Sequence, residues 1–150
     1  VTVENDLIKR KFRMLVNRFS DNMAAIVSQK ATKSKSGLKI YGIYDDEIGD
    51  DYYIALGEKS IDIDPFLVYV ALIQDQERIK VIVFVGEESR KIIKASRIAK
   101  EISLKLGGTG GGGTDKFAQG GGRDKSKIHD CLKNLENLLT HILDSSEKNG

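Results

Sequence analysis

Apolar side chains recur with a helical period through the first part of the chain. Between residues 3 and about 31 they advance in steps of three or four, which is the spacing of one helix face. We call these six residues the arm stripe: Ile8, Phe12, Leu15, Phe19, Met23 and Ile26. Such a helix is longer than a small sheet needs as a cover, so two interpretations stay open. Either the helix packs on its own domain, or it is an arm that pairs with a second chain or an upstream helix.

Strand patterns dominate the middle of the chain. Residues 38–44 alternate loosely between apolar and polar side chains, and residues 66–73 form a continuous apolar run that is typical of a buried strand. A polar turn at 74–78 separates this run from the valine- and isoleucine-rich residues 79–85, so these two strands are predicted to form a hairpin. A short helix is expected over residues 52–59.

Two further helices are predicted in the second half of the chain, one on each side of a glycine-rich segment. The first begins at Glu87 and turns toward the sheet the side chains of Ile92, Ala95, Ala99, Ile102 and Leu106. The second is capped by Asp124 or Ser126 and carries an apolar face of Ile128, Leu132, Leu135, Leu139 and Ile142.

These elements predict an α/β (α+β) fold in two parts. A long helical arm at residues 1–36 would serve dimerisation or packing on an upstream element, and a small sheet-and-helix globular domain would follow at 37–150 with a glycine-rich loop at 107–122.

The 150-residue chain has 40% hydrophobic and 31% charged residues, which is ordinary for a soluble globular protein. No apolar run is long enough for a membrane span. The single cysteine, Cys131, suits a reducing cytosol, so a cytoplasmic location is expected. Because the chain starts at Val1 without methionine, we expect it to be a piece of a larger protein.

The glycine-rich loop holds nine of the fifteen glycines of the chain. Glycine lets a backbone approach another backbone or an anion closely, and successive bare N–H groups can bind an anion. The loop follows a helix rather than a strand, so its G-x-G-x-x-G spacing does not indicate a dinucleotide site. No Gly-Lys-Ser/Thr follows it, which excludes a phosphate-binding P-loop. Phe117 inside the loop either anchors it to the core, which we favour, or stacks on a base.

Basic residues surround the glycine-rich loop. Arg90, Lys94 and Arg97 have the spacing of one helix face, and Lys116, Arg123, Lys125 and Lys127 flank the loop. Cations beside bare N–H groups suit phosphates, which dominate nucleic-acid affinity. The alternative for the first three is an ordinary solvated helix face. With a net charge of +2, any nucleic-acid contact must come from such local patches.

Catalytic and metal-binding features are poorly supported by the sequence. The acidic residues Asp45, Asp46, Glu47, Asp50 and Asp51 match no calcium-loop spacing, which favours a solvated turn. His129, His141 and Cys131 are too few for a zinc site. The sequence therefore predicts no catalytic residue, no metal and no cofactor.

The glycine motif resembles that of a known family. Gly110-Gly-Gly-Gly113, followed by Phe117-Ala-Gln-Gly-Gly-Gly122 and a charged helix start, is similar to the C-terminal domain of alanyl-tRNA synthetases. That domain belongs to a wider group found behind the catalytic domain of DHH-type phosphoesterases. The Ala-Gln-Gly ending and Thr114 in place of a histidine favour the synthetase branch, and we expect an archaeal-type parent enzyme. The family places a cation directly after the glycine run, whereas Thr114 stands there.

The resemblance implies a non-catalytic domain that recognises the outer corner of tRNA(Ala) and, through its helical part, joins two subunits. Its partners would be tRNA(Ala), the catalytic and editing domains of the parent synthetase and a second copy of the chain, with no membrane. The glycine motif and the cations around it together predict these nucleic-acid-binding residues: Arg90, Lys94, Arg97, Gly110, Gly111, Gly112, Gly113, Lys116, Gln119, Gly120, Gly121, Gly122, Arg123 and Lys125. The arm stripe would form the dimer interface. Two alternatives are the nucleic-acid-binding domain of a DHH-type phosphoesterase and a purely structural dimerisation module.

Overall fold

The fold is a six-stranded sheet with helices on both faces. A computed structural model describes the backbone of residues 2–46 and 49–149 and the side chains of residues 3–46 and 49–145. The helices are α1 (Thr2–Lys30), α2 (Asp50–Ile63), α3 (Ala95–Lys105), α4 (Ile128–Lys133) and α5 (Leu135–Asn149). The strands are β1 (Thr32–Lys33), β2 (Lys39–Asp45), β3 (Leu67–Asp75), β4 (Arg78–Val85), β5 (Gly112–Gly113) and β6 (Phe117–Gly122).

The sheet has the strand order β1-β2-β3-β4-β6-β5. Strands β2 and β3 are parallel and are joined by α2, whereas the other neighbours are antiparallel. The predicted hairpin is β3–β4, in which Asp75 pairs with Arg78 at the turn. The predicted combination of a long N-terminal helix and a sheet-and-helix domain is confirmed.

The two faces of the sheet carry two separate cores because side chains alternate along each strand. Val70 of β3 and Val83 of β4 point toward α3 and α5, where they share a core with Ile98, Ile102 and Leu139. Tyr69 and Phe84 point the other way, toward α2 and the second half of α1. Strand β3 is buried on both faces, which explains its continuous apolar sequence.

Helix α1 packs on the domain through a face other than the arm stripe. Its buried side chains are small or β-branched, namely Val16 (partly), Ser20, Ala24 and Val27. Within the arm stripe only Met23 is half-buried, and the other five residues are between 37% and 65% exposed. Phe19 contacts the ring of Tyr52, with centroids 5.4 Å apart. The predicted helix is therefore present, and its largest apolar side chains face outward.

The predicted helix from Glu87 is wrong in its first two turns. A single 3-10 turn at Ser89–Lys91 is followed by a break, and α3 begins only at Ala95. The hydroxyl of Ser89 donates to Phe66 O at 2.7 Å and its N–H donates to Pro65 O at 3.2 Å, so this turn is held against the start of β3. As a consequence Ile93 is buried and Ile92 is half exposed.

The last predicted helix is present but interrupted. Asp124 accepts a hydrogen bond from the Ser126 N–H at 3.2 Å and caps the segment as expected. The chain then breaks at Asn134, whose side chain donates to Asp130 O at 2.9 Å. The apolar face continues across the break, with Ile128 and Leu139 almost fully buried.

A charged cluster ties α1 to the sheet. Asp64, at the end of α2, is 7% exposed and pairs with Lys39 of β2. The Ser28 hydroxyl of α1 donates to the same carboxylate at 2.7 Å, and Lys39 Nζ lies 3.1 Å from Ser28 Oγ. Burial by itself would raise the pKa of Asp64, but the hydrogen bonds from Lys39 and Ser28 outweigh it, and the pKa is lowered from 3.8. A lowered pKa adds stability above the unfolded pKa, and that stability disappears as pH falls.

We expect Lys39→Met to destabilise the protein by about 2–3 kcal/mol at pH 7, because it leaves a buried carboxylate without its cation. The deficit should shrink below about pH 4, where Asp64 becomes protonated. Urea unfolding at pH 7 and pH 3.5 measures both values. Lys80→Met is the matched control, because the Lys80–Asp50 pair is about one third exposed and should cost under about 1 kcal/mol. Equal losses in the two variants, or a deficit independent of pH, would contradict this.

Candidate nucleic-acid interface

The glycine-rich segment is a β-hairpin rather than a loop. Strand β6 pairs with β4 over its whole length, and the two residues of β5 form the edge of the sheet. At the turn, the Thr114 N–H donates to Phe117 O at 2.8 Å, and the Phe117 N–H donates to Thr114 Oγ1 at 3.1 Å. The Phe117 ring stacks on Phe84, with centroids 4.5 Å apart. These contacts support the interpretation of Phe117 as an anchor.

Most of the glycines are required by close packing. A Cβ on Gly122 would lie 2.4 Å from Leu106 Cβ, and one on Gly120 would lie 2.0 Å from Ser103 Oγ. A Cβ on Gly108 would lie 1.9 Å from Gly121 O, so the turn after α3 rests directly on the backbone of β6. Gly111 and Gly113 are similarly close to the backbone of β6. These glycines let α3 and the hairpin approach each other, and this structural reason for glycine does not depend on any ligand.

The three cations predicted to share one helix face lie on different elements. Arg90 belongs to the 3-10 turn, Lys94 is extended before α3, and Arg97 lies within α3. Lys94 Nζ is 4.0 Å from Asp115, and Arg97 Nε is 3.3 Å from Glu101. The prediction of a single stripe is therefore wrong, because the helix begins later than expected.

The N-terminus of α3 is also occupied. The N–H groups of Ala95 and Ser96 donate to Asp115 O at 2.9 Å and Thr114 O at 3.1 Å. Lys116 lies half-buried in the same hairpin turn, where its carbonyl accepts the Val85 N–H. This end of the hairpin therefore offers cations, but its helix N-terminus already has acceptors within the protein.

The other end of the hairpin carries a second group of cations. Arg123 and Lys125 follow β6, and Arg123 lies about 23 Å from Lys116 at the usual rise per residue of a strand. Arg78 lies there too, and it lines a cleft with Arg123 and residues 107–110. Lys100 of α3 reaches the same turn, with Cγ 3.9 Å from the position that a Cβ on Gly110 would take. The remaining predicted residue, Gln119, is half-buried in β6 on the face that carries Phe117.

Sequence reasoning missed Arg78 and Lys100. The sequence pattern places Arg78 in a turn remote from the glycines, and only the pairing of β4 with β6 brings it beside Arg123. The predicted hairpin does place Arg78 at the end of a strand. It does not show which other strand lies beside that end.

The residues considered for catalysis do not form a site with these cations. Cys131 is buried, and its burial raises the pKa of the thiol, which the charge of Lys105 lowers only in part. His129 is exposed and packs edge-on against Tyr44, with ring centroids 5.7 Å apart. Within residues 2–46 and 49–149, no group of three or more His, Cys, Asp and Glu side chains could hold a metal ion. Glu47 of the acidic turn lies outside the described residues.

No helix in the described part of the chain is long and apolar enough to cross a membrane.

Comparison with known proteins identifies the class to which this fold belongs. The model of the DHHA1 domain family matches residues 54–141, more than half of the chain. The chain therefore belongs to the DHHA1 domain family.

Relatives within this family narrow the likeness to one enzyme. The chain is 36% identical over 93 residues to the alanine–tRNA ligase of Cenarchaeum symbiosum, covering 61% of this chain and 10% of that protein. It is 30% identical over 142 residues to the alanine–tRNA ligase of Bifidobacterium longum, covering 86% of this chain and 15% of that protein. The chain thus spans 10% and 15% of the length of these two ligases. Neither match tests the expected archaeal type of the parent.

A solved structure shares the fold. The C-Ala domain of Aquifex aeolicus alanyl-tRNA synthetase superposes with a TM-score of 0.64 at 21% identity, covering 72% of this chain and 95% of that domain. The fold of this chain is therefore that of the C-Ala domain.

Proposed function

We propose that this chain is the non-catalytic C-terminal domain of a cytoplasmic alanine–tRNA ligase and binds the outer corner of tRNA(Ala). The observation that carries the proposal is the match to alanine–tRNA ligases over 61% of the chain, together with the C-Ala fold. Because these relatives are ligases, we prefer this function to the substrate-binding domain of a DHH-type phosphoesterase. The catalytic and editing domains of the parent enzyme would then be partners of this chain.

The surface of the glycine hairpin supports an RNA-binding role. Cations lie at both of its ends, and RNA phosphates are bound chiefly by such groups. The hairpin has few side chains, so an RNA backbone can come close to the protein backbone there. On this proposal the binding surface comprises the cations and glycines predicted from the sequence, with the two groups of cations about 23 Å apart along β6.

We also propose that the arm stripe joins two copies of the chain. Its support is the exposure of Ile8, Phe12, Leu15 and Phe19, each more than half exposed, on a helix that packs through another face. Large apolar side chains gain about 1.5–3 kcal/mol each when fully buried. A second copy that presents the same stripe would provide that burial, since a two-fold interface uses one surface twice.

The tRNA-binding proposal is tested by titrating the chain with folded tRNA(Ala) and with an acceptor-stem minihelix at several salt concentrations. Folded tRNA should bind more tightly, because the outer corner is missing from the minihelix. Replacing Arg90, Lys94, Lys116 and Arg123 with alanine should weaken binding and flatten its salt dependence. Each phosphate that the variant no longer neutralises should reduce the slope by a little under one unit.

A matched control removes the same number of charges from the opposite edge of the sheet. Lys30, Lys33, Lys35 and Lys133 are exposed near β1, and their replacement with alanine should leave affinity and salt slope nearly unchanged. Equal affinity for tRNA and minihelix, or equal effects of the two quadruple variants, would refute the proposal.

A further inference from the structure

We propose that a phosphodiester of folded RNA binds in the cleft between Arg78 and Arg123, where β4 begins and β6 ends. This inference rests on the RNA-binding function proposed above. It locates the main phosphate contact of that function, and it adds Arg78, which is not among the binding residues predicted from the sequence. The turn at residues 107–110 and the backbone of Gly121 and Gly122 line the same cleft.

The two arginines occupy adjacent positions on neighbouring strands. Ile79 of β4 pairs with Gly122 of β6, so Arg78 and Arg123 are the next residues outward on each side. Neighbouring strands lie about 4.8 Å apart, and like charges at facing positions repel each other. Both side chains are exposed, and within the described chain neither forms an ion pair. An anion bound between them would replace this repulsion with two attractions.

The turn beside the arginines offers backbone donors. Gly107, at φ +79°, turns the chain away from the end of α3. The N–H groups of residues 109–111 then donate to no protein acceptor within the part of the chain that the structure describes. Because a phosphate oxygen accepts hydrogen bonds from N–H groups and guanidinium groups alike, these donors and the arginines suit the same ligand.

The nearby acceptors do not oppose an anion in the cleft. The negative end of α3 is covered, since Leu106 O accepts the N–H groups of both Arg123 and Asp124 at 2.9 Å. The Asp124 carboxylate accepts the Ser126 hydroxyl at 2.5 Å and lies 3.8 Å from Lys127 Nζ. Asp75, the register partner of Arg78 on β3, lines a neighbouring cleft that Arg78 also lines, but it does not line this one.

The opposite end of the hairpin is less able to bind a phosphate. Lys94 and Arg97 each have a carboxylate partner, and the first N–H groups of α3 donate to carbonyls of the hairpin turn. A phosphate at that end would have to compete with these contacts. At that end Arg90 Nε has no hydrogen-bond partner among the described residues, but it is buried. The exposed donors therefore favour the Arg78–Arg123 end as the centre of binding.

The test compares three double variants of the chain in tRNA binding. Arg78→Ala with Arg123→Ala should weaken tRNA binding about tenfold or more and lower the salt slope by nearly two units, since the variant lacks two charged hydrogen-bond donors to phosphate. Lys94→Ala with Arg97→Ala should weaken binding clearly less. Lys33→Ala with Lys133→Ala, on the β1 edge, controls for net charge and should bind as the wild type does. Thermal unfolding of each variant checks that its fold is intact.

The outcomes separate this inference from the function on which it rests. If the wild type fails to bind tRNA, the proposed function is wrong. If the wild type binds but the Arg78–Arg123 variant is weakened no more than the Lys94–Arg97 variant, only the location is wrong. Inorganic phosphate at constant ionic strength tests a free anion as the ligand. Stabilisation of the wild type by phosphate but not of the Arg78–Arg123 variant, with tRNA affinity equal in both, would overturn the assignment to RNA.

Discussion

Replacing Gly122 with alanine is expected to destabilise the fold by roughly 3 kcal/mol, whereas the same change at Gly121 should cost little. A Cβ at Gly122 would lie 2.4 Å from Leu106 Cβ and 2.6 Å from Leu106 O. That carbonyl is fixed by the N–H groups of Arg123 and Asp124, so α3 cannot move away without breaking two hydrogen bonds. Overpacking a rigid site in this way costs about 1–3 kcal/mol and occasionally more.

Gly121 is the matched control for this prediction because it is the adjacent residue of the same strand. The nearest atom to its added Cβ is Ile79 O at 3.4 Å, and its φ does not lie in the left-handed region. Urea unfolding followed by circular dichroism measures both variants. Equal losses of stability would show that the glycines are needed for a reason other than the contact between α3 and β6.

The glycine segment shows what composition alone could not predict. Its glycines suggested an irregular loop, yet residues 117–122 form a strand that pairs with β4. Each glycine that faces α3 removes a side chain that would otherwise separate the helix from the sheet, and the Ser103 hydroxyl accepts the Gly121 N–H at 3.2 Å across that contact. The run of glycines in the sequence indicates that side chains are excluded there. It does not show that the excluding element is α3, because that contact forms only in the folded protein.

Periodicity predicted the regular elements well where the local pattern was long. The strands at β2, β3 and β4 and the helix α1 lie close to their predicted positions. It failed at Glu87, where the hydrogen bonds from Ser89 to Pro65 and Phe66 hold the chain in a 3-10 turn. Those partners precede Ser89 by more than twenty residues, so no local propensity could reveal them.

The candidate site was predictable in its glycines and in part of its cations. Lys116 lies within the glycine-rich segment and Arg123 directly follows it, so the sequence alone places both beside the glycines. Arg78 could not be assigned to the site from the sequence, because it reaches Arg123 only through the pairing of β4 with β6 in the folded protein. The tRNA contacts and the role of the arm stripe remain predictions.

Helix α1 illustrates that a correct periodicity does not by itself show which face of a helix is buried. Ser20 and Ala24 are small, so α1 can lie close to α2 there, while the large side chains of the arm stripe are left outside. Hydrophobicity alone favours the large side chains as the buried ones, but close packing of two helices favours small residues at the contact. The arm stripe thus remains available to a second copy.

Phe12→Glu combined with Phe19→Glu is expected to convert a dimeric wild-type chain into a folded monomer. Both rings lie in the exposed arm stripe, 59% and 55% exposed, so the glutamates are tolerated in one copy. In a dimer they would bury unpaired carboxylates, and the cost of that burial is several kcal/mol for each charge. Sedimentation at tens of micromolar measures the change, in roughly the range where a modest interface is saturated.

The control places the same two charges on other sides of the helix. Asn17→Glu with Ala25→Glu changes exposed residues that lie outside the arm stripe, so this variant should stay dimeric. Circular dichroism should be alike for all three proteins, because Ser20, Ala24 and Val27, which hold α1 on the domain, are unchanged. A monomeric wild type would refute the arm interface outright. A dimer that survives the two glutamates at Phe12 and Phe19 would place the interface on another surface of the chain.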